Sequence, residues 1–398
     1  MLLPMSDTSM KILVLSCNTG EGHNSTAAAI KEVLESHHQI CEQKDALLFW
    51  SKRRSASFCR QFVRIYRYFP KLFDISYRYA EKHPALFDSG SILNRYVTRG
   101  AKKLQHFLEQ NQYDMVVCTH MISSLLVTRT QDLLAKPIPA CLIATDYTCS
   151  PMVSNSDMDV YFIPDGSLAS EFTQQGIPKS KIVSDGIPVR KDFLVRTPKE
   201  SAKQLLNISC NQKHLLMMCG SMGCGPIRKL VSEFAATLPK DVVLTVICGT
   251  NQRLYRILKR EHDNAHIRID GFVQNISLLM DSADLFLTKP GGISVTEAYL
   301  KELPMVFINA VAGCEDHNLH YFIDRGMAQS AGSIKGISEI CISLLQDDKK
   351  RLEMAKKMHT THKVNSAEQI YESLLKLHKE ENAVPKKVCT AAELLAAI

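Results

Sequence analysis

Short apolar runs, each closed by glycine, proline or a polar cluster, alternate along this chain with longer stretches in which apolar residues return every three or four positions. The first run is Lys11 to Ser16 (KILVLS). It is followed by CNTGEGHNSTAAAIKEVLE, a glycine turn entering an alanine-rich helix. Similar runs at 113–119, 139–145, 159–163 and 181–184 predict further strands, and those at 214–219, 242–249, 268–272, 285–288 and 305–308 predict a second set. Repeated strand, glycine loop and helix units predict an α/β fold of parallel sheets. The plan at 214–219 copies the opening without copying its sequence, so two Rossmann-like domains are expected. Residues 195–203, with Pro198, read as their linker. The divisions are 1–195, 196–350 and a lysine-rich, amphipathic helical tail at 351–398 whose last twenty residues read as a loose end.

A chain of 398 residues has length for two full cores. With 45% hydrophobic and 22% charged residues it falls among ordinary globular proteins, and no apolar run approaches the ~20 residues of a membrane span. The start, MLLPMSDTSMK, is too short and too soon polar for a secretory signal, and reads as a ragged extension. Thirteen cysteines form no C-x-x-C pair and no Cys/His zinc spacing, which predicts reduced core thiols in a cytoplasmic protein and no metal.

The net charge of +7 is local. Residues 52 to 103 carry thirteen Lys/Arg against Asp74, Glu81 and Asp88, a surplus of ten within a basic, aromatic insert at 49–103. Phe58, Phe62, Ile65, Tyr66 and Phe69 recur on one helical face, Arg60, Arg64 and Arg67 fall largely elsewhere, and Trp50 lies just before. Such a helix either packs its apolar face on its own domain or meets an anionic lipid surface. Lipid is the expectation, with Trp50, Phe58, Arg60, Phe62, Arg64 and Arg67 as acceptor and membrane contacts. No recognition motif for nucleic acid accompanies the charge.

Most of the candidate chemistry lies between 284 and 326. Leu285–Thr288 reads as a strand, Pro290-Gly291-Gly292 as a turn, and 294–300 as a helix beginning at once. Backbone N–H groups and the positive helix end then point at one spot that two glycines leave open, which is a seat for phosphate. Glu297, one turn in, either accepts hydrogen bonds from a vicinal diol such as ribose or closes a capping box with Ser294. Glu315, Asp316, His317 and Asn318 crowd into a glycine-led loop of the kind that reads sugar hydroxyls. Gly220, Ser221, Gly223 and Gly225, after another strand, suit a pyrophosphate. The first loop does not match G-x-G-x-x-G, so a nicotinamide site is rejected. His23 at that loop's mouth reads as structural or as a general base. His120 and Asp146 also fall at carboxyl ends of strands.

TKPGGISVTEAYLKELPMVF followed by GCEDHN resembles the nucleotide-sugar half of family 28 glycosyltransferases, and DGIPVRKDF at 185–193 resembles that family's G-I-P-[VI]-R signature. The GEGH opening and the basic, aromatic insert resemble the diacylglycerol glucosyl- and galactosyltransferase branch. The resemblance runs from about Lys11 to Gly332. It implies the GT-B architecture, with acceptor on the amino-terminal domain and UDP-sugar on the carboxyl-terminal one. By position it implies pyrophosphate at Gly220–Gly225, uracil at Phe272 and Val273, and phosphate at Gly292, Ile293 and Ser294. Ribose falls to Glu297 and sugar hydroxyls to Glu315, Asp316 and Asn318. The implied reaction is inverting transfer of a hexose to a lipid, most simply diacylglycerol, without metal or cofactor. His23 is then the base candidate, and Asp146 its orienting partner or the alternative base. The sugar segment departs from relatives that carry proline before the glycine and Gln-Glu after it, which leaves the hexose open. A peripheral enzyme on the inner face of the cell membrane is expected. Three other readings stand beside it: a peptidoglycan-lipid N-acetylglucosaminyltransferase, a UDP-N-acetylglucosamine epimerase, and a UDP-sugar sensor that performs no catalysis. Oligomeric state is not legible.

Overall fold

The computed structural model describes residues 9–18, 20–308, 313–363 and 365–383, with the side chains of 66–68 and 381–383 outside that description. Expectations placed on the extension before Ser9, the Arg67 side chain, Ala312 and the end beyond 383 therefore lie outside the described residues.

The strands are β1 (Lys11–Ser16), β2 (Ile40–Asp45), β3 (Met115–Cys118), β4 (Ala140–Ile143), β5 (Val160–Phe162) and β6 (Ile182–Val183), then β7 (Lys213–Met218), β8 (Val242–Ile247), β9 (Ile267–Asp270), β10 (Leu285–Thr288), β11 (Met305–Phe307) and β12 (Ala328–Ser330). They form two six-stranded sheets, β2-β1-β3-β4-β5-β6 and β12-β11-β10-β7-β8-β9. Every pairing is parallel. The central strands are buried throughout and mostly apolar because helices cover both faces, so neither side of the pleat meets water. In each sheet the order reverses beside its first strand, between β1 and β3 and between β7 and β10. Open α/β sheets bind ligands at the carboxyl side of such a reversal.

Two of the fastenings between the halves lie at the joint itself. Tyr147, from the end of the first domain's β4, is buried with Ile293, Tyr321 and Phe322 of the second, and its hydroxyl lies 3.0 Å from Thr296 Oγ1. The tail returns across the joint: in helix Ser366–Ala383, Ala367, Ile370, Tyr371 and Leu374 pack on Ile12, Val14 and Ile30 of the first domain.

The insert folds as helices Lys52–Tyr68 and Pro70–Lys82 with shorter pieces after them. The expectation that Trp50 meets a membrane is corrected. It is 4% exposed, its indole N–H donates to the Val97 carbonyl at 3.0 Å, and the Arg99 guanidinium lies 3.9 Å from its ring centre. Phe58 packs edge-on to Trp50 and against the core, and Phe62 stacks on Phe58. Their face is turned inward as well, because the large apolar wall behind them offers more burial than solvent does. Arg60 and Arg64 are exposed. What the two long insert helices and their junction expose instead is Ile65, Phe69, Leu72, Ile75 and Tyr79, and the shorter helix after them adds Ile92, Leu93 and Tyr96. Among the described residues no helix is long and apolar enough to cross a membrane.

Candidate active site between the two sheets

His23 lies in the first turn of helix Glu21–Ser36, directly after β1. Its Nδ1 is 2.8 Å from the Thr119 carbonyl oxygen at the end of β3 and 3.0 Å from Thr145 Oγ1 after β4. A carbonyl only accepts, so Nδ1 carries the proton and Nε2 keeps its lone pair. Burial pushes the ring's pKa below its ordinary 6.5, against the opposing pull of the Asp146 charge and the Thr119 carbonyl. The imidazole is therefore neutral near pH 7, the form a base requires. The partners that orient it are Thr119 and Thr145. Asp146, assigned that task from the sequence, instead acts on His23 through its charge and accepts from Asn318 Nδ2 at 2.8 Å.

His120, not chosen as a site residue from the sequence, stands edge-on to His23 with ring centres 4.4 Å apart. Its Nδ1 accepts from the Ile122 N–H at 3.0 Å and caps the helix Met121–Gln131. Burial, then the neighbouring His23, holds its pKa well below the usual value. A polar residue at the end of β3 was the available signal.

Across the joint, β7 ends in the Gly220–Gly225 turn and β10 in Lys289-Pro290-Gly291-Gly292. Gly220 and Gly223 take φ of +67° and +54°. A side-chain carbon at Gly223 would collide with the Cys248 carbonyl oxygen, so the tight turn requires glycine. The sequence reading passed over Lys289. Its Cε comes 2.8 Å from where a Gly220 side chain would begin, and its Nζ pairs with Glu315 at 2.7 Å. One cation thus links the glycine turn, the β10 turn and the next helix.

The helix after β10 is Gly292–Leu300, with Gly291 as its cap and no side-chain capping bond. Ser294 is inside the first turn, so the capping box with Glu297 does not form. Glu297 is 6% exposed, and no hydrogen bond from another described residue reaches its carboxyl. Burial pushes its pKa up to about 8, with Arg190 opposing and Asp192 assisting. A buried carboxyl without a partner is a poor structural element and a ready acceptor. Gly292 has a second task. A side chain there would collide with the Thr145 carbonyl oxygen and meet Asp146 Oδ1 at 2.8 Å, so this glycine lets the domains touch beside His23. Ile293 is buried against that joint, Val273 is partly buried on the second core, and Phe272 is 62% exposed.

Glu315, Asp316, His317 and Asn318 lie in the first turns of helix Cys314–Asp324 and not in a loop. Asn318 is fully buried: Oδ1 accepts from the Tyr147 N–H at 2.7 Å, while Nδ2 donates to Asp146 and, at 2.9 Å, to the Pro290 carbonyl. Its amide is spent on joining the domains, which corrects its assignment to a sugar hydroxyl. Asp316 pairs with Arg78 at 2.6 Å and His317 with Glu81 at 2.8 Å. Beneath them the Tyr77 ring fills the place a Gly313 side chain would take. Insert helix Pro70–Lys82 therefore closes over this corner of the cleft.

The two reversal points thus face one another, with a neutral imidazole on one side and a glycine turn, a lysine, a helix amino end and a buried carboxyl on the other. Residues 23–189 match the model of the monogalactosyldiacylglycerol (MGDG) synthase family, and residues 214–374 match the glycosyltransferase family 28 C-terminal domain. The chain belongs to glycosyltransferase family 28. This family 28 member is an enzyme, a hexosyltransferase drawing on a UDP-sugar, which retires the sensor and epimerase readings. It is 27% identical over 388 residues to the processive diacylglycerol beta-glucosyltransferase of Bacillus subtilis (strain 168), covering 93% of this chain and 96% of that one. The protein of the same name from Bacillus pumilus is 26% identical, with 93% and 95% covered. Among solved structures, Acinetobacter baumannii MurG shares the fold at TM-score 0.60 and 13% identity, over 92% of this chain and 99% of that one. The UDP co-structure of S. aureus MnaA does so at 0.61 and 11%, over 92% and 96%. The GT-B fold is thereby shown.

Proposed function

We propose that this family 28 enzyme transfers a hexose, with inversion, from a UDP-sugar to the free hydroxyl of diacylglycerol at the inner face of the cell membrane. The observation that carries the reading is the exposed apolar ridge on the half that matches the MGDG synthase model. Leu72, Ile75 and Tyr79 line one side of helix Pro70–Lys82, while Tyr77, Arg78 and Glu81 on the other side hold helix Cys314–Asp324. A lipid met by the ridge enters beside the hexose corner of the cleft.

His23 Nε2 takes the acceptor's hydroxyl proton as that oxygen attacks the anomeric carbon. The bond from this carbon to UDP breaks on the opposite face, and UDP departs with the electron pair. Its growing charge meets Lys289, the Gly220–Gly225 turn and the amino end at Gly292–Ser294. A helix end contributes up to ~2 kcal/mol and a well-placed donor ~3 to 4 kcal/mol to such a transition state. Phe272 and Val273 are assigned the uracil, Glu297 the ribose, and Glu315 with Asp316 the hexose hydroxyls. The enzyme is peripheral in this reading, with Arg60 and Arg64 toward anionic headgroups.

The test is transfer of radiolabelled hexose from UDP-glucose, UDP-galactose or UDP-N-acetylglucosamine into extractable lipid, using anionic liposomes with and without diacylglycerol. Label that depends on diacylglycerol is expected. Label entering a polyprenyl-diphosphate sugar lipid instead would transfer the enzyme to the peptidoglycan branch.

The ridge has its own expected result. Burying three half-exposed side chains of this size contributes about 3 kcal/mol, so Leu72→Ser, Ile75→Ser and Tyr79→Ser together weaken liposome binding roughly a hundredfold. Arg60→Ser and Arg64→Ser cost about 1 kcal/mol each, and that loss vanishes in high salt. Co-sedimentation at two ionic strengths separates the two contributions. Unchanged binding of the triple variant would remove the ridge from the proposal.

A further inference from the structure

The chain crosses between domains twice, at the linker near Arg196 and again between helices Asp348–His359 and Ser366–Ala383. Glu302, His359 and His362 meet where the crossings pass, each offering a ligand atom within 4.8 Å of the other two. Glu302 follows the helix Gly292–Leu300 and takes φ +53°, the left-handed turn that ends it, with the Leu303 N–H donating back to the Ala298 carbonyl at 2.9 Å. His359 Nδ1 lies 2.7 Å from Glu302 Oε1. His362 Nδ1 lies 3.0 Å from the Met358 carbonyl oxygen, which fixes the proton there and leaves Nε2 with its lone pair. A histidine whose far nitrogen is so held is already in the state that binds a metal.

We propose that Glu302, His359 and His362 form a zinc site that fastens the second crossing to the base of the donor-domain helix Gly292–Leu300. Two imidazoles and one carboxylate suit zinc in preference to magnesium or calcium, which favour all-oxygen sets. Four-coordinate zinc, with bonds of about 2.0 to 2.1 Å, holds its ligand atoms roughly 3.3 Å apart. The His359–Glu302 pair, at 2.7 Å, lies inside that spacing, and the three ligand atoms all fall within 4.8 Å of one another, so side-chain rotations alone would close the set on an ion. Arg196 also donates to Glu302 Oε1, at 2.6 Å, and is anchored independently on the Leu300 carbonyl at 2.7 Å. Its charge opposes the cation and weakens the site, while the contacts given for Glu302 all fall on Oε1 and leave its second carboxylate oxygen for the ion. The ion's role is mechanical. It ties the returning tail to the element whose other end receives the donor phosphate, and it lies outside the cleft.

The experiment uses the full chain without a histidine tag, stripped with chelator and titrated with zinc by calorimetry, then with cobalt by visible absorption. One zinc per chain is expected, with the Tm raised by metal. The His359→Ala/His362→Ala variant should bind at least tenfold more weakly and lose the Tm response, while its metal-free melting matches the wild type. Cobalt should give the d–d bands of a nitrogen and oxygen site. Equal zinc binding by the variant, no binding by the wild type, or a thiolate charge-transfer band from a cysteine such as exposed Cys210 would each overturn the assignment.

Discussion

His23→Ala is expected to lower kcat by about a hundredfold to ten-thousandfold, the span of a general base, while the Kd for UDP stays within about twofold. The split follows from the geometry. His23 belongs to the first sheet, whereas the glycine turn, Lys289 and Glu297 that would hold UDP belong to the second. Removing the ring leaves the donor seat whole and takes away the only neutral lone pair assigned to the acceptor's proton. The wild-type rate should fall on acidification only below pH 6.5, because burial holds the imidazole's pKa under that value. The alanine variant should lack that acidic limb, a signature that loss of packing against His120 does not produce. Turnover above a tenth of wild type, with the limb retained, would assign the base elsewhere.

The legible parts of the fold are those set by local apolar density. β1 and β10 stand at their predicted limits because each is buried along nearly its whole length. β2, ICEQKD, was missed because it lies at the sheet's edge, partly wet, and needs no apolar run to pair with β1. β12, AQS, has three residues and offers no pattern to detect. Glu315 to Asn318 read as a loop because four polar residues placed just after Gly313 and Cys314 hide a helix start.

In the site, residues joined by one strand-to-turn motif were visible and residues joined across the fold were not. Glu297 and the glycines announce themselves within a few positions. Lys289 does not, since its importance comes from the distant Gly220 turn and from Glu315. Trp50 misled for the same reason. A single tryptophan before basic residues has the composition of a membrane anchor, but the Val97 carbonyl that satisfies its indole lies far along the chain. The insert's outward face, Leu72, Ile75 and Tyr79, proved to lie on its second helix, since only the packed structure decides which of two amphipathic faces is left over.

Glu297→Gln should trade donor affinity for stability, with the sign set by pH. In the empty enzyme the carboxyl's pKa is raised from 4.5 to about 8 by burial. Between those values the folded chain keeps a proton that the unfolded chain has released. Stability therefore falls as pH rises through this window, by up to ~1.4 kcal/mol per unit, and levels off above pH 8. Glutamine has no such charge to bury, so the variant should melt higher than wild type at pH 8.5 and nearly level with it at pH 5. Ribose hydroxyls donate to the ionised carboxylate, so wild-type UDP affinity should rise about fivefold from pH 7 to pH 8, as the ionised fraction in the empty enzyme climbs from about a tenth to about a half. The glutamine variant should show no such rise from this group. At pH 8.5 it should bind UDP about tenfold to a hundredfold more weakly, the equivalent of a charge-assisted hydrogen bond of roughly 1.5 to 3 kcal/mol. Identical UDP affinities for variant and wild type across pH 6 to 9 would take the ribose away from Glu297. A pH-dependent difference in melting alone would leave it a buried acid that the donor never touches.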